Sequence, residues 1–206
     1  MKLYKFILGA MGTNCYFISD EVTGQTAIVD PADSFDVIKD KIEKFGLRVK
    51  YIILTHAHFD HMLALEELRD YTKAPLCVHT LDNDYLSDPD KTCMSVFGGR
   101  DDVIRSAEIL LEEGSSLFLG KQEIKVIHTP GHTLGSICLI FDKTIISGDT
   151  LFRGDIGRYD LYGGDFRTLC NSLKRLSEFD DDYRLCPGHG MSTTLGEEKL
   201  QNIYLM

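Results

Sequence analysis

The run Thr55-His56-Ala57-His58-Phe59-Asp60-His61 places four metal-competent side chains within six residues. It follows directly on Tyr51-Ile52-Ile53-Leu54, an apolar run that reads as a buried strand. In an extended turn, alternation sends His56 and His58 to one side, while Asp60 and His61 come round the bend. One loop can therefore serve two adjacent cations, and a single ion would not need all four donors. Leu65 and Leu68 continue the pattern as a helix to about Tyr71, which completes a strand, loop, helix unit.

Three further motifs place a ligand-type residue just past a strand. Thr129-Pro130-Gly131-His132-Thr133 follows a strand ending near His128, Ser147-Gly148-Asp149-Thr150 follows Thr144-Ile145-Ile146, and Cys186-Pro187-Gly188-His189-Gly190 follows Arg184-Leu185. Proline and glycine make tight turns, and a glycine beside a ligand lets the backbone approach closely. Several strand-end loops meeting at one sheet edge form a natural pocket.

Elsewhere, short β-forming runs alternate with helical patterns. Met1 to Ala10 and Cys15 to Ile18 read as two strands joined by a turn, since the first apolar run is too short for a secretory signal. Ala27-Ile28-Val29-Asp30 is a strand ended by Pro31. A helix follows, with Ser34 as its N-cap, Phe35, Ile38, Ile42 and Phe45 at helical spacing, and Gly46 as its C-cap. Further strands are expected at 76–79, 123–128, 137–141, 144–146 and 184–186, and a helix at 166–176. Residues 82–106, with Pro89 and Gly98-Gly99, read as an irregular excursion, either a pocket wall or a solvated loop. With no repeat or linker, 1–206 is expected to be a single domain of mixed sheets covered by helices.

Composition narrows the function. With 22 Lys and Arg against 32 Asp and Glu the formal charge is −10, which gives no electrostatic reason to bind nucleic acid or an anionic membrane. No segment approaches the roughly 18 apolar residues of a membrane helix. The six cysteines contain no C-x-x-C pair, so neither a zinc knuckle nor a disulfide scaffold is indicated, and a cytoplasmic location fits best. They read as small packing residues, and His79 and His128 as ordinary structural histidines.

Taken together, the T-H-x-H-x-D-H run at 55–61, P-G-H-T at 130–133, G-D-T-L-F at 148–152 and P-G-H-G at 187–190 resemble the metallo-β-lactamase fold hydrolases. The resemblance is to their short glyoxalase II-like branch. It extends to Gly157-Arg158, Gly163-Gly164-Asp165 and the tail from Thr193 to Glu198, and so covers nearly the whole chain. It implies an α+β fold, the αββα sandwich of two mixed sheets flanked by helices. It also implies that His56, His58 and His132 hold one metal, that Asp60, His61 and His189 hold the other, and that Asp149 bridges them.

Imidazole and carboxylate donors suit Zn²⁺ and also Fe or Mn. Two divalent ions about 3.5–4 Å apart can share a water, draw its pKa from about 15.7 towards 7, and polarise a carbonyl. Asp60 would then be both ligand and orienting base. The resemblance implies hydrolysis of a small thioester of the acylglutathione type, for which the thiolate leaving group demands no dedicated acid. Arg158 sits where relatives carry a basic residue against the glutathione tail, and a salt bridge is its alternative role. The long form of glyoxalase II adds a helical domain that this chain lacks. The pocket is then closed by the 82–106 excursion or by a second subunit of a homo-oligomer, or the substrate is a different thioester.

The alternative is a persulfide dioxygenase-like oxidoreductase with one Fe²⁺ on His56, His132 and Asp149. A β-lactamase is disfavoured, because many enzymes of that function carry Cys where Asp149 stands. A metal-binding protein without turnover is disfavoured by the intact Asp60.

Overall fold

The computed structural model describes residues 1–98 and 103–205. Residues 99–102 of the irregular excursion lie outside the described residues, and with them Gly99 of the Gly98-Gly99 pair. The chain opens with β1 (Lys2–Leu8), β2 (Thr13–Ser19) and β3 (Gln25–Val29), followed by α1 (Phe35–Phe45) and β4 (Arg48–Ile53). After the histidine-rich loop come α2 (Leu65–Thr72), β5 (Leu76–His79), the single turn α3 (Thr80–Asn83), and the strands β6 (Ile109–Leu111), β7 (Ser116–Leu119), β8 (Gln122–His128), β9 (Ile137–Phe141) and β10 (Thr144–Gly148). The chain continues through α4 (Phe166–Ser177), β11 (Arg184–Pro187), β12 (Thr193–Thr194) and α5 (Leu195–Gln201).

Two six-stranded sheets result, ordered β1-β2-β3-β4-β5-β6 and β7-β8-β9-β10-β11-β12. Both are mixed. In the first, β1, β2 and β3 pair antiparallel and β3 through β6 pair parallel. In the second, only β10 and β11 run parallel.

Period-2 alternation along buried strands creates the layers. From β2, Cys15 and Phe17 pack with Ile38, Ile42, Leu65 and Leu68 of α1 and α2, while Tyr16 and Ile18 point the other way. There they meet Leu117, Ile124, Val126, Leu139 and Ile146 of the second sheet. The far face of that sheet, with Ile140, Ile145 and Leu185, is covered by Leu169, Leu173 and Leu176 of α4 and by Leu195 of α5. Each such fully buried leucine or isoleucine contributes about 1.5–3 kcal/mol. The architecture is the expected αββα sandwich. Among the described residues no helix is long and apolar enough to cross a membrane.

Most expected elements lie within a residue or two of their predicted bounds. Ser34 is a correction: it occupies the N-cap of α1 but in a left-handed conformation, with no side-chain cap hydrogen bond. Asp33 supplies the local polar contact, its Oδ1 accepting the Ser34 N–H at 2.5 Å. Gly46 does close the helix, at φ 61°, with its N–H and that of Leu47 bound to Glu43 and Ile42 carbonyls. The strands β6, β7 and β12 and the helix α5 were not anticipated as elements.

Candidate metal centre

Every candidate ligand sits just past the C-terminal end of a strand: His56 to His61 after β4, His132 after β8, Asp149 after β10, and His189 after β11. A short 3-10 turn over Phe59–His61 carries Asp60 and His61 round the bend and packs the His61 ring against His56, with centroids 4.2 Å apart. The other loops are held against this one by specific contacts. Asp165 donates its N–H to the Gly131 carbonyl at 2.9 Å and caps α4 by accepting the Thr168 N–H at 2.7 Å, which ties the His132 loop to that helix. A side chain at Gly131 would lie 2.3 Å from the Leu169 nitrogen, so this turn requires glycine. Gly188 is equally constrained, since a Cβ there would lie 2.2 Å from Asp149 Oδ1. The His189 loop is clamped by β2 of the opposite sheet: Asn14 Nδ2 donates to the Pro187 carbonyl at 2.8 Å, and Tyr16 Oη donates to the same oxygen at 2.7 Å.

The donors converge. His58 Nδ1 lies 2.9 Å from His132 Nε2, which lies 3.2 Å from His56 Nε2. His189 Nε2 is 3.1 Å from Asp60 Oδ2, and His61 Nε2 is 3.6 Å from that oxygen. Asp149 stands between the two sets, Oδ1 3.5 Å from His61 Nε2 and Oδ2 3.6 Å from both His132 Nε2 and His189 Nε2. All seven expected ligands are therefore brought together, as the overlapping triads His56–His58–His132, His56–His61–Asp149 and Asp60–His61–His189.

These donors fit divalent cations on chemical grounds. Tetrahedral bonds of about 2.0–2.1 Å give ligand-to-ligand edges of about 3.3 Å, close to the spacings found. His61 Nε2 and Asp149 Oδ1 are buried without a hydrogen-bond partner, as atoms reserved for a cation would be. Burial, with the neighbouring histidines, holds His56 well below its ordinary pKa and pushes His58 down to about 3. Burial also lowers His132. Their lone pairs are consequently free at neutral pH. Burial opposes charge on His61 too, yet Asp60, Asp149 and Asp30 outweigh it and hold the imidazole well above the usual range. Burial likewise opposes ionisation of Asp60, but His61, His189 and Thr13 more than reverse it and keep the carboxyl well below the usual range.

In three of the rings the far nitrogen is occupied as well, which fixes their orientation, whereas the far nitrogen of His58, Nε2, is buried without a partner. His56 Nδ1 meets Thr55 Oγ1 at 3.1 Å, His61 Nδ1 meets Asp30 Oδ2 at 3.0 Å, and His132 Nδ1 donates to the Arg158 carbonyl at 2.7 Å. Asp60 Oδ2 accepts from Thr13 Oγ1 at 3.0 Å. Asp82, fully buried, ties two ligand loops together. Its Oδ2 accepts the Ala57 N–H at 3.0 Å and the Thr133 hydroxyl at 2.8 Å, and its Oδ1 accepts the Gly135 N–H at 2.6 Å.

Sequence reading had not singled out Asp30, Thr13 or Asp82. Asp30 carried one available signal, a carboxylate directly after the buried run Ala27-Ile28-Val29.

A cavity of about 410 Å³ opens onto the donors. Cys93 and Phe97 of the excursion form part of its wall, as does Arg158. The Arg158 side chain is half exposed, makes a two-pronged pair with Asp160 at 2.8 and 3.0 Å, and lies over the Phe97 ring. The salt-bridge role expected for Arg158 is thus present. His79 and His128 stack on each other at 4.0 Å and belong to none of the three triads. All six cysteines are free thiols.

A buried two-sheet core carrying histidine and carboxylate donors on four strand-end loops defines a metal-dependent hydrolase scaffold. Residues 8–189 match the Metallo-beta-lactamase superfamily, and the chain belongs to that family as a metal-dependent hydrolase. It is 34% identical over 209 residues to the probable metallo-hydrolase YqgX of Bacillus subtilis (strain 168), covering 100% of this chain and 98% of the relative. Identity to the hydroxyacylglutathione hydrolase GloC of Haemophilus influenzae is 32% over 200 residues, covering 95% and 94%. Among solved structures it is similar to the BLEG-1 B3 metallo-beta-lactamase, with TM-score 0.94 and 33% identity over 100% of both chains. It is also similar to TTHA1623 in a di-iron-bound form, with TM-score 0.89 and 34% identity, covering 98% and 100%.

Proposed function

We propose that this protein hydrolyses a small thioester of the acylglutathione class, with one divalent cation on His56, His58 and His132, another on Asp60, His61 and His189, and Asp149 shared between them. The observation that carries the reading is the convergence of both donor sets on one cavity, with the Asp60 carboxylate at its wall. When bound, such a pair supplies a water ionised near neutral pH and polarises the scissile carbonyl. Zinc suits the donors, and the di-iron form of a relative keeps iron in play.

The chain's own groups do the rest. Asp60, held as an ionised carboxylate, orients the attacking water and accepts its proton. Thr13 keeps that carboxylate in place. The thiolate leaves without a protonating acid, and the cavity contains none beyond the candidate ligands and Cys93 among its described lining. Arg158 sits at the cavity mouth, where it can meet a carboxylate of the thiol carrier, though Asp160 already takes part of its charge. The free cysteines support action in the cytoplasm.

A second reading rests on His56, His132 and Asp149, whose 3.2 and 3.6 Å spacings also suit a single iron on two histidines and one carboxylate, as in a persulfide dioxygenase. Elemental analysis of the purified protein, paired with an anaerobic thioester screen and a β-lactam control, tests both. Two equivalents of metal with S-lactoylglutathione turnover are expected. One iron with oxygen uptake on glutathione persulfide would overturn the proposal, as would β-lactam turnover without thioester cleavage.

A further inference from the structure

Resting on the thioester reading, we infer that the 410 Å³ cavity is an acyl pocket and that the preferred acyl group is an apolar chain rather than a hydroxylated or charged one. Six large apolar side chains line it: Met11, Phe59, Phe97, Phe152, Ile156 and Leu161. Apart from the candidate metal donors, the polar side-chain groups of the described lining are the Cys93 thiol and the Arg158 guanidinium. The thiol is a weak hydrogen-bonding group, and the guanidinium is half exposed and engaged by Asp160.

This lining decides which half of a thioester enters. Biological thiol carriers are polar chains of amides and carboxylates, and each amide buried without a partner costs about 1–3 kcal/mol. Apart from the candidate metal donors, the described lining offers such groups only that thiol and that guanidinium among its side chains. The acyl half is the part of the substrate that can be purely apolar, so it occupies the chamber while the carrier stays at the mouth beside Arg158. The lining carries its own signal: Phe97 is 54% and Met11 60% exposed, two large apolar side chains that both line the cavity yet face water. An alkyl chain packed against them removes that surface from water.

The test is an acyl-length series on one carrier. Acetyl-, butyryl-, hexanoyl- and octanoylglutathione are compared with lactoyl- and succinylglutathione on metal-loaded enzyme. Each fully buried methylene is expected to raise kcat/KM about fourfold, giving more than tenfold between acetyl and hexanoyl even with partial burial. Phe97→Ala is expected to lower kcat/KM for the hexanoyl ester at least fivefold more than for the acetyl ester, and Phe97→Leu to restore most of the difference. A readout independent of turnover is binding to metal-free protein, in which S-hexylglutathione should bind at least tenfold more tightly than S-methylglutathione by calorimetry. A flat or falling series, or a preference for lactoyl or succinyl, overturns the acyl-pocket proposal while leaving the thioester reading intact. Absence of hydrolysis across every ester overturns both.

Discussion

His61 Nδ1 and Asp30 Oδ2 lie 3.0 Å apart, both fully buried. The same carboxylate accepts the Thr55 N–H and the Thr55 hydroxyl, each at 2.8 Å. One side chain from the end of β3 therefore fixes both the start of the histidine-rich loop and the ring orientation of a candidate ligand six residues further on. Asp30→Asn keeps the size but replaces one acceptor oxygen with a donor, facing either the Thr55 N–H or both the imidazole and the Thr55 hydroxyl. Losing such an outer partner typically costs 10–100-fold in metal affinity. The expected outcome, measured by chelator competition, is a loss of that size with activity recovered at high metal concentration. Unchanged affinity would show that His61 is oriented without Asp30.

In the proposed reaction Asp60 is the group asked to move a proton. Asp60→Asn retains a possible ligand oxygen and the Thr13 contact but removes the basic site, so kcat for the best thioester is expected to fall about 10²–10⁴-fold. Metal content, measured on the same sample, separates this from simple loss of a cation. A variant that keeps both metals and full activity would remove Asp60 from the chemistry.

Asp82 joins the His56–His58 loop to the His132 loop through three donors. Burial pushes its carboxyl up to about 6 against the pull of those hydrogen bonds. In Asp82→Asn one backbone N–H loses its acceptor, at an expected cost of about 1–3 kcal/mol. Urea unfolding of the metal-free protein, followed by circular dichroism because the chain has no tryptophan, should show a lower midpoint. An unshifted midpoint would mean that the two loops are held without this clasp.

How much of this was legible in the sequence follows from distance along the chain. The candidate ligands at 55–61 fall within one short run, and His132 and His189 sit in Pro-Gly turns after clear strands, so their placement could be read from local pattern. Asp30, Thr13 and Asp82 act on groups 25 to 53 residues away, as the Asp30–Thr55 and Asp82–Gly135 bonds illustrate. Only the pairing of β2, β3 and β4 brings the first two into range. The strands β6 and β7 were missed because three or four residues carry too little alternation to separate strand from loop. The Ser34 cap failed because preference for a residue type does not fix its backbone conformation.

His79 offers a test of stability against pH. Its ring is buried, stacked on His128, and its Nδ1 accepts the Leu81 N–H at 3.3 Å. Burial, then the neighbouring His128, pushes His79 down to about 4, with Glu113 acting weakly in the other direction. The unfolded chain, with an ordinary histidine pKa near 6.5, therefore binds more protons than the folded one between pH 6.5 and 4. Stability from this group is full above that window and is lost as pH falls through it. At pH 5 the loss is on the order of 1–2 kcal/mol. His79→Gln does not titrate and keeps an acceptor for the Leu81 N–H. In metal-free protein, wild type should lose about 1–2 kcal/mol more than His79→Gln between pH 7 and pH 5, measured by urea unfolding. Parallel losses in the two proteins would show that His79 titrates alike in the folded and the unfolded chain.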